Sequence, residues 1–396
     1  MTTIKNTLVR KIVLACLLMC NFYSLRSQPP VSKWPGKNWL ASFMTEGANA
    51  SSFRHFLLLP DGSLQSFAAG STPQPVNGIN DVVEISAGTF HILALKNDGT
   101  VWAWGSNDEK QLGNDKLPKN SPGSAIPLQV TGIKNAISIS AYRTSSYALL
   151  SDGTVWAWGY GNMGMTGDGG TLTGSMTNSN WSGRILPVKV KGIQNAIAIS
   201  GSMALLADGT IMTWGEGGYG RLGNGSDTTS NIPVRVAGIS HAVSIACRYD
   251  GALALLSDGS VWAWGKNYKG QLGNAAKSIG QNDHSNVPLR VLDIKDAVAI
   301  DAHNVCLALL KDGTIKAWGW GAVGGMGSGR PGTNDVNSLP VKVPNVNHAI
   351  AIRAGNGYGL ALQQDGTLIG WGSDMVAAGV YHQTWTPVKI ANVALK

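Results

Sequence analysis

The chain of 396 residues carries 51 glycines and only 14% charged residues, a balance that excludes long solvated helices and favours frequent turns around a sizeable core. Its formal charge is +8, but four of the basic residues fall within positions 1–27 and the others are scattered. Nucleic-acid recognition needs a clustered basic patch, so no nucleic-acid partner is expected.

In chain order, Lys5, Arg10 and Lys11 precede an apolar run from Ile12 to Cys20 that is too short to span a bilayer. Residues 1–27 are therefore expected to be a secretory signal, with cleavage after Ser27 and before Gln28, or alternatively after Ser24. Val13-Leu14-Ala15-Cys16 resembles a lipoprotein cleavage box, although almost no apolar core precedes that cysteine. A lipidated signal and an uncleaved anchor are the alternatives. The expected location is secreted or periplasmic, in a protein of bacterial type. A proline-containing linker at 28–38 follows. Beyond the signal only Cys247 and Cys306 remain; they do not hold equivalent repeat positions. Two buried thiols are expected, a disulfide being the alternative.

From there the sequence repeats. Asp-Gly recurs at 61, 98, 152, 208, 258, 312 and 365, each time followed by Ser or Thr, then an aromatic residue, then a Pro-Val or Pro-Leu step. The second unit shows four strand-like runs: VVEISAG (82–88), HILALKN (91–97), TVWAWG (100–105) and PLQV (127–130), here termed a, b, c and d. The Asp-Gly pair between b and c predicts a two-residue type I′ hairpin, with both residues at positive φ. Seven such units predict an all-β chain, a seven-bladed β-propeller of four-stranded antiparallel blades over residues 39–396. The blades could be contiguous in sequence, or a strand near Leu40 could complete a blade with residues 387–390.

Strand c places alternate side chains on opposite faces. Phe67, Trp104, Trp158, Trp214, Trp264, Trp318 and Trp371 share one position, always a large ring, and are expected to wedge between blades. The Trp102 position also accepts Met, Lys, Ile and Gln, so it is expected nearer solvent.

The run SAGTFHILALKNDGTVWAWGSNDEKQLGN, with GKNYKGQLGN at 265–274 and GRLGN at 220–224, resembles the repeat of the regulator of chromosome condensation family over about residues 39–396. Blade 1 is degenerate, and only blade 2 keeps the family histidine, His91, in register. The resemblance implies a seven-bladed propeller that recognises proteins on one face. Founding members are nuclear exchange factors for a small GTPase and bind chromatin; others are ubiquitin-ligase modules, light sensors or secreted bacterial inhibitors of β-lactamase. The exchange residues of the founding members belong to particular loops and not to the repeat, so none is carried over. A signal segment also argues against a nuclear or cytosolic GTPase partner.

If the strands run up and down, the b–c and d–a turns share one face and the a–b and c–d loops the other. The first set is monotonous. The second is diverse, and its c–d loop in blade 3 spans 160–186. Phe90, His91, Tyr142, Arg143, Arg248, Tyr249, His303 and Tyr358 lie at the a–b turns, with Trp181 and Trp320 in or near the c–d loops. Tyr and Arg are favoured at recognition hot spots, so these ten are the candidate partner-binding residues. Packing among themselves is the competing explanation. Changing Tyr142, Arg143, Arg248 and Tyr249 together to Ala is expected to abolish binding with the melting temperature nearly unchanged. Blade 4 is four residues shorter than blade 2 here, with SGSMA at 200–204, which could leave a notch.

Other motifs lose to the repeat. G-x-G-x-x-G starts at Gly159, Gly215 and Gly319, always after strand c and never before a helix-forming run, so no pyrophosphate site is expected. No metal-ligand spacing, calcium loop or nucleophile elbow is present, and no metal or cofactor is expected. Exposed tryptophans such as Trp181, Trp320 and Trp385 make a glycan a second ligand class. The chain is thus expected to be a monomeric, non-enzymatic protein-binding propeller. An exchange-factor-like regulator, a carbohydrate-binding propeller or a propeller-based enzyme are the alternatives.

Overall fold

The computed structural model describes residues 40–44, 53–68, 73–118, 120–170, 183–275, 283–321, 324–329, 336–372, 376–377, 380–381 and 384–390. The signal and linker at 1–38 lie outside these residues. Among the described residues are seven four-stranded antiparallel sheets, and no helix is long and apolar enough to cross a membrane. The chain is a seven-bladed β-propeller.

Each blade is contiguous in sequence. Blade 1 takes Leu40–Met44 as its own strand a, paired in register with Phe53–Leu58. The C-terminal strand Thr384–Lys389 pairs inside blade 7 with Leu368–Gly372. Blade 2 consists of Val82–Ala87, His91–Lys96, Val101–Ser106 and Gly123–Gln129. Strand d therefore starts four residues before the predicted Pro127, and proline lies on the outer edge strand, where its missing N–H costs no ladder bond.

The core is a series of wedges. Blades 1 and 2 share one apolar cluster, blades 2 and 3 another, blades 3 and 4 and blades 4 and 5 one each, and blades 5 to 7 a larger one. Each holds the second strand-c ring of the later blade, from Trp104 to Trp371. Full burial of such a ring stabilises by about 2–3 kcal/mol. The indole N–H is satisfied across the blade boundary: Trp158, Trp214, Trp264, Trp318 and Trp371 donate to the carbonyls of Gln111, Met165, Arg221, Gln271 and Gly325 at 2.9–3.1 Å. This explains the repeated tail after strand c. Its first residue offers a carbonyl to the next blade's indole, and the residue after it (Leu112, Thr166, Leu222, Leu272, Met326) is buried. Phe67 of blade 1 instead stacks on His55 at 5.2 Å. Trp102, Trp156 and Trp262 are half-buried and bend back to the Ser or Thr of their own turn.

The Asp-Gly turn differs from the predicted type I′ hairpin. The Gly99 N–H donates to Lys96 O and the Lys96 N–H to Thr100 O, both at 2.9 Å, which closes a three-residue loop. Of Asn97, Asp98 and Gly99, only Gly99 has positive φ, at 77°. This is a turn closed by a left-handed bulge residue. Asp98 keeps negative φ because its carboxylate accepts from the Thr100 N–H and hydroxyl at 2.9 and 2.6 Å, a local closure that needs no second left-handed residue. Those bonds hold the Asp98 carboxyl below its ordinary pKa.

The same turn joins blades. The N–H of the next blade's first residue donates to the turn glycine's carbonyl in six successive pairs, from Val82 to Gly62 through Ala349 to Gly313, at 3.0–3.1 Å. A Cβ on Gly99 would sit 2.9 Å from Asn135 Cα. Gly99→Ala therefore combines a left-handed penalty of about 1–2 kcal/mol with a backbone clash. Its urea midpoint should fall well below that of Asp98→Asn, which keeps the side-chain acceptor.

Candidate functional site

The strand order places the a–b and c–d loops together, opposite the belt of turns. On that loop face, blades 3, 4 and 5 build a polar network that the repeat does not contain. Strand a of blade 3, Ala136–Tyr142, delivers Tyr142 and Arg143. Blade 4 shortens its first two strands to four residues each, Ala196–Ile199 and Met203–Leu206. The predicted notch exists in the backbone and is filled by side chains. Tyr142 and Cys247 close over Gly201, where a Cβ would lie 2.9 Å from Cys247 Sγ and 3.1 Å from Tyr142 Cγ. The Tyr142 hydroxyl then reaches blade 5, donating to Tyr249 O at 2.9 Å.

Arg143 follows it across. Its guanidinium pairs with Glu216 at 2.8 Å, donates to Tyr249 O at 2.9 Å and lies 4.1 Å from the Tyr249 ring centre. Burial opposes its charge, but Tyr142 and Glu216 beside it more than offset this and raise its pKa. Glu216 also pairs with Arg221, and Arg221 with Asp250 at 2.6 Å. Arg248, at the end of Ala242–Arg248 in blade 5, is 2% exposed and donates to Trp264 O and Lys266 O at 3.1 and 2.9 Å. Burial pulls its pKa below the ordinary arginine value. Beside it, burial pushes the Cys247 thiol up to about 11. Cys247 and Cys306 are both free thiols.

The candidate residues thus divide. Tyr249 is 48% exposed. Tyr142 and Arg143 are half-buried bridges between blades. Arg248 and His91 face inward; His91 is fully buried and its Nε2 lies 2.9 Å from Ser146 Oγ. Phe90, His303 and Trp320 are half-buried, and Tyr358 is 9% exposed. Trp181 lies outside the described residues. Changing Tyr142, Arg143, Arg248 and Tyr249 together would cut ties between blades 3, 4 and 5, so the melting temperature cannot stay unchanged.

Several further residues of this face lie outside the repeat pattern. Tyr219 is 37% exposed, and Lys266 lies 4.6 Å from the ring centres of both Tyr219 and Tyr268. The signal for them was departure from the repeat. The residue after the wedge Trp-Gly is Ser106, Tyr160, Glu216, Lys266 and Trp320 in successive blades, and Arg221 replaces the Gln of the tail. The G-x-G-x-x-G runs of blades 3 and 4 end in the three-residue turns Asn162–Gly164 and Gly218–Gly220, which pack on strand d of the next blade.

Known proteins share this architecture. A family profile described as RCC1-like domain matches residues 57–395. The chain is 29% identical over 286 residues to human E3 ubiquitin-protein ligase HERC2, covering 67% of this chain and 6% of the ligase. It is 42% identical over 104 residues to the regulator of chromosome condensation of Drosophila melanogaster, covering 25% of this chain and 19% of that protein. The matches therefore span well under two thirds of these relatives. Among solved structures, yeast RCC1 (Prp20) bound to Kap60 superposes with a TM-score of 0.69 at 22% identity, covering 92% of this chain and 86% of that one. Human WBSCR16 gives 0.69 at 20% identity, covering 81% and 85%. At those identities the superpositions speak for the fold. With the profile spanning nearly all seven blades, the chain belongs to the RCC1-like domain family.

Proposed function

We propose that this propeller is a non-enzymatic protein-binding module that recognises its partner through the loop face of blades 4 and 5. The observation that carries this is the contrast between the two faces. The turn face is committed to hydrogen bonds between blades. The loop face presents Tyr219, Tyr249, Tyr268 and Lys266, aromatic and cationic side chains in contact with one another and with Arg143. Tyr and cationic residues on a preorganised surface suit protein recognition. The signal-like segment 1–27 supports secretion or a periplasmic location, which N-terminal sequencing of the mature protein tests by finding Gln28 first. A single propeller acting as a monomer goes with this reading, and sedimentation measures it.

The test is capture from the surrounding medium by the mature chain, followed by titration of the captured protein. Tyr219→Ala, Tyr249→Ala and Lys266→Ala combined should weaken binding at least about a hundredfold, as hot-spot losses of about 2 kcal/mol or more combine. An Asp98→Asn change on the opposite face should leave binding intact. Equal loss from both variants, or none from the first, overturns the assignment. Prp20p of Saccharomyces cerevisiae, which shares the fold, binds Gsp1p and histones, so nucleotide release from a small GTPase and Trp fluorescence with soluble glycans belong in the same series. A response to either would replace the reading.

A further inference from the structure

A small cavity of about 30 Å³ lies under the loop face and is lined by residues of blades 3, 4 and 5, among them Tyr142, Arg143, Glu216, Arg221, Cys247 and Arg248. Ligand pockets for organic molecules run to several hundred Å³, so this one has room only for water or a small ion. Its polar lining is unusual. The buried Nε–H groups of Arg143, Arg221 and Arg248 find no acceptor among the described residues. The three arginines, one from each of blades 3, 4 and 5, line one space.

The charges around it do not cancel. Three guanidinium groups line the cavity. Glu216 is shared between Arg143 and Arg221, and Asp250 is taken by Arg221. Arg248 is 2% exposed and donates to the neutral carbonyls of Trp264 and Lys266. Tyr142 has its hydroxyl on Tyr249 O, and the raised pKa of Cys247 leaves that wall uncharged near neutral pH. Three positive charges against two negative ones leave a surplus of one, in a place where a buried uncompensated charge costs several kcal/mol. We infer that the cavity is a binding site for one monovalent anion of halide size, held by the guanidinium N–H groups of Arg143, Arg221 and Arg248 and tying blades 3 to 5 together. Glu216 lines the same space, but its charge is already engaged by two arginines, and it limits the site to a single small anion.

The test uses the folded chain and bromide. Crystals soaked in sodium bromide should show an anomalous peak within hydrogen-bond distance of Arg248 Nε. In solution the melting temperature should rise with chloride or bromide above the value in sodium gluconate at equal ionic strength. Arg248→Met should need about tenfold more halide or beyond for the same rise, because a hydrogen bond to a charged group is worth that factor. Should that variant fail to fold, Arg143→Met, at the more exposed wall, provides the same comparison. No peak, with halide and gluconate giving one melting curve, means a water-filled cavity and overturns the inference. It would leave the protein-binding proposal standing, since Tyr219, Tyr249 and Lys266 are tested separately.

Discussion

Trp214→Ala loses about 3–5 kcal/mol of stability, the largest single-residue effect expected for a wedge tryptophan. Trp214 is fully buried between blades 3 and 4, meets Tyr147 edge-on at 6.0 Å and donates to Met165 O at 3.1 Å. Removing it takes away the transfer energy of the ring, leaves a cavity that four-stranded sheets on either side cannot collapse into, and strips the Met165 carbonyl of one donor. Tyr147 also donates to that carbonyl at 2.8 Å, so Trp214→Phe, which keeps most of the ring, should cost nearer 1–2 kcal/mol. Trp156→Ala is the internal control. That ring is half-buried, packs against the cluster between blades 2 and 3 and donates to Thr154 of its own turn, so a smaller loss of about 1–2 kcal/mol is expected. Urea midpoints of the three variants order them. Equal losses at Trp214 and Trp156 would refute the wedge assignment.

Acid should unfold the propeller well before its carboxylates are protonated. Burial lowers the pKa of His91 to about 3 and that of His55 to about 4, from 6.5. The Ser146 hydroxyl donates to Gln111 O at 2.8 Å, so it accepts from the neutral His91 Nε2–H. Gln111 O also receives the Trp158 indole, which places His91 in the chain of bonds joining blades 2 and 3. A histidine with a depressed folded pKa binds its proton first in the unfolded state. Stability is therefore full above pH 6.5 and falls as pH drops below it, steadily until the folded pKa is reached. At pH 4 each of the two histidines costs about 3 kcal/mol. The turn aspartates also have lowered pKa values, but their stabilisation is lost only as pH falls below about 3.8, a separate and lower window. Burial also lowers the pKa of His303, so His91→Leu should remove about a third to a half of the slope of stability against pH between 6.5 and 4, measured by urea unfolding at each pH. An unchanged slope would exclude His91 as a contributor.

Much of this molecule could be read from its letters. The seven Asp-Gly turns, the period of two in strand c and the invariance of the Trp104 position are signals between residues within a few positions of one another. A turn is closed by atoms three residues apart, and a strand's inner face is set by alternation. The exact turn type was missed because the Asp98 carboxylate, bonded to Thr100, satisfies the loop without a second left-handed residue. Contiguous blades likewise had to await the pairing of Leu40–Met44 with Phe53–Leu58.

The loop face was legible only in part. Diversity among the a–b turns pointed to Tyr142, Arg143, Arg248 and Tyr249, and the fold does bring them together. Their roles diverged because exposure is a property of neighbours: Arg248 lies beneath its own turn, whereas Tyr249 beside it is open. Glu216 and Arg221 differ from the repeat by a single letter each, and nothing local says that they meet Arg143 and Asp250. The repeat of short-range turns and alternating strands was sufficient to determine the seven blades and their wedges. Which charges share a cavity was decided by the ring, because curvature brings residues over a hundred positions apart, such as Tyr142 and Tyr249, within one hydrogen bond.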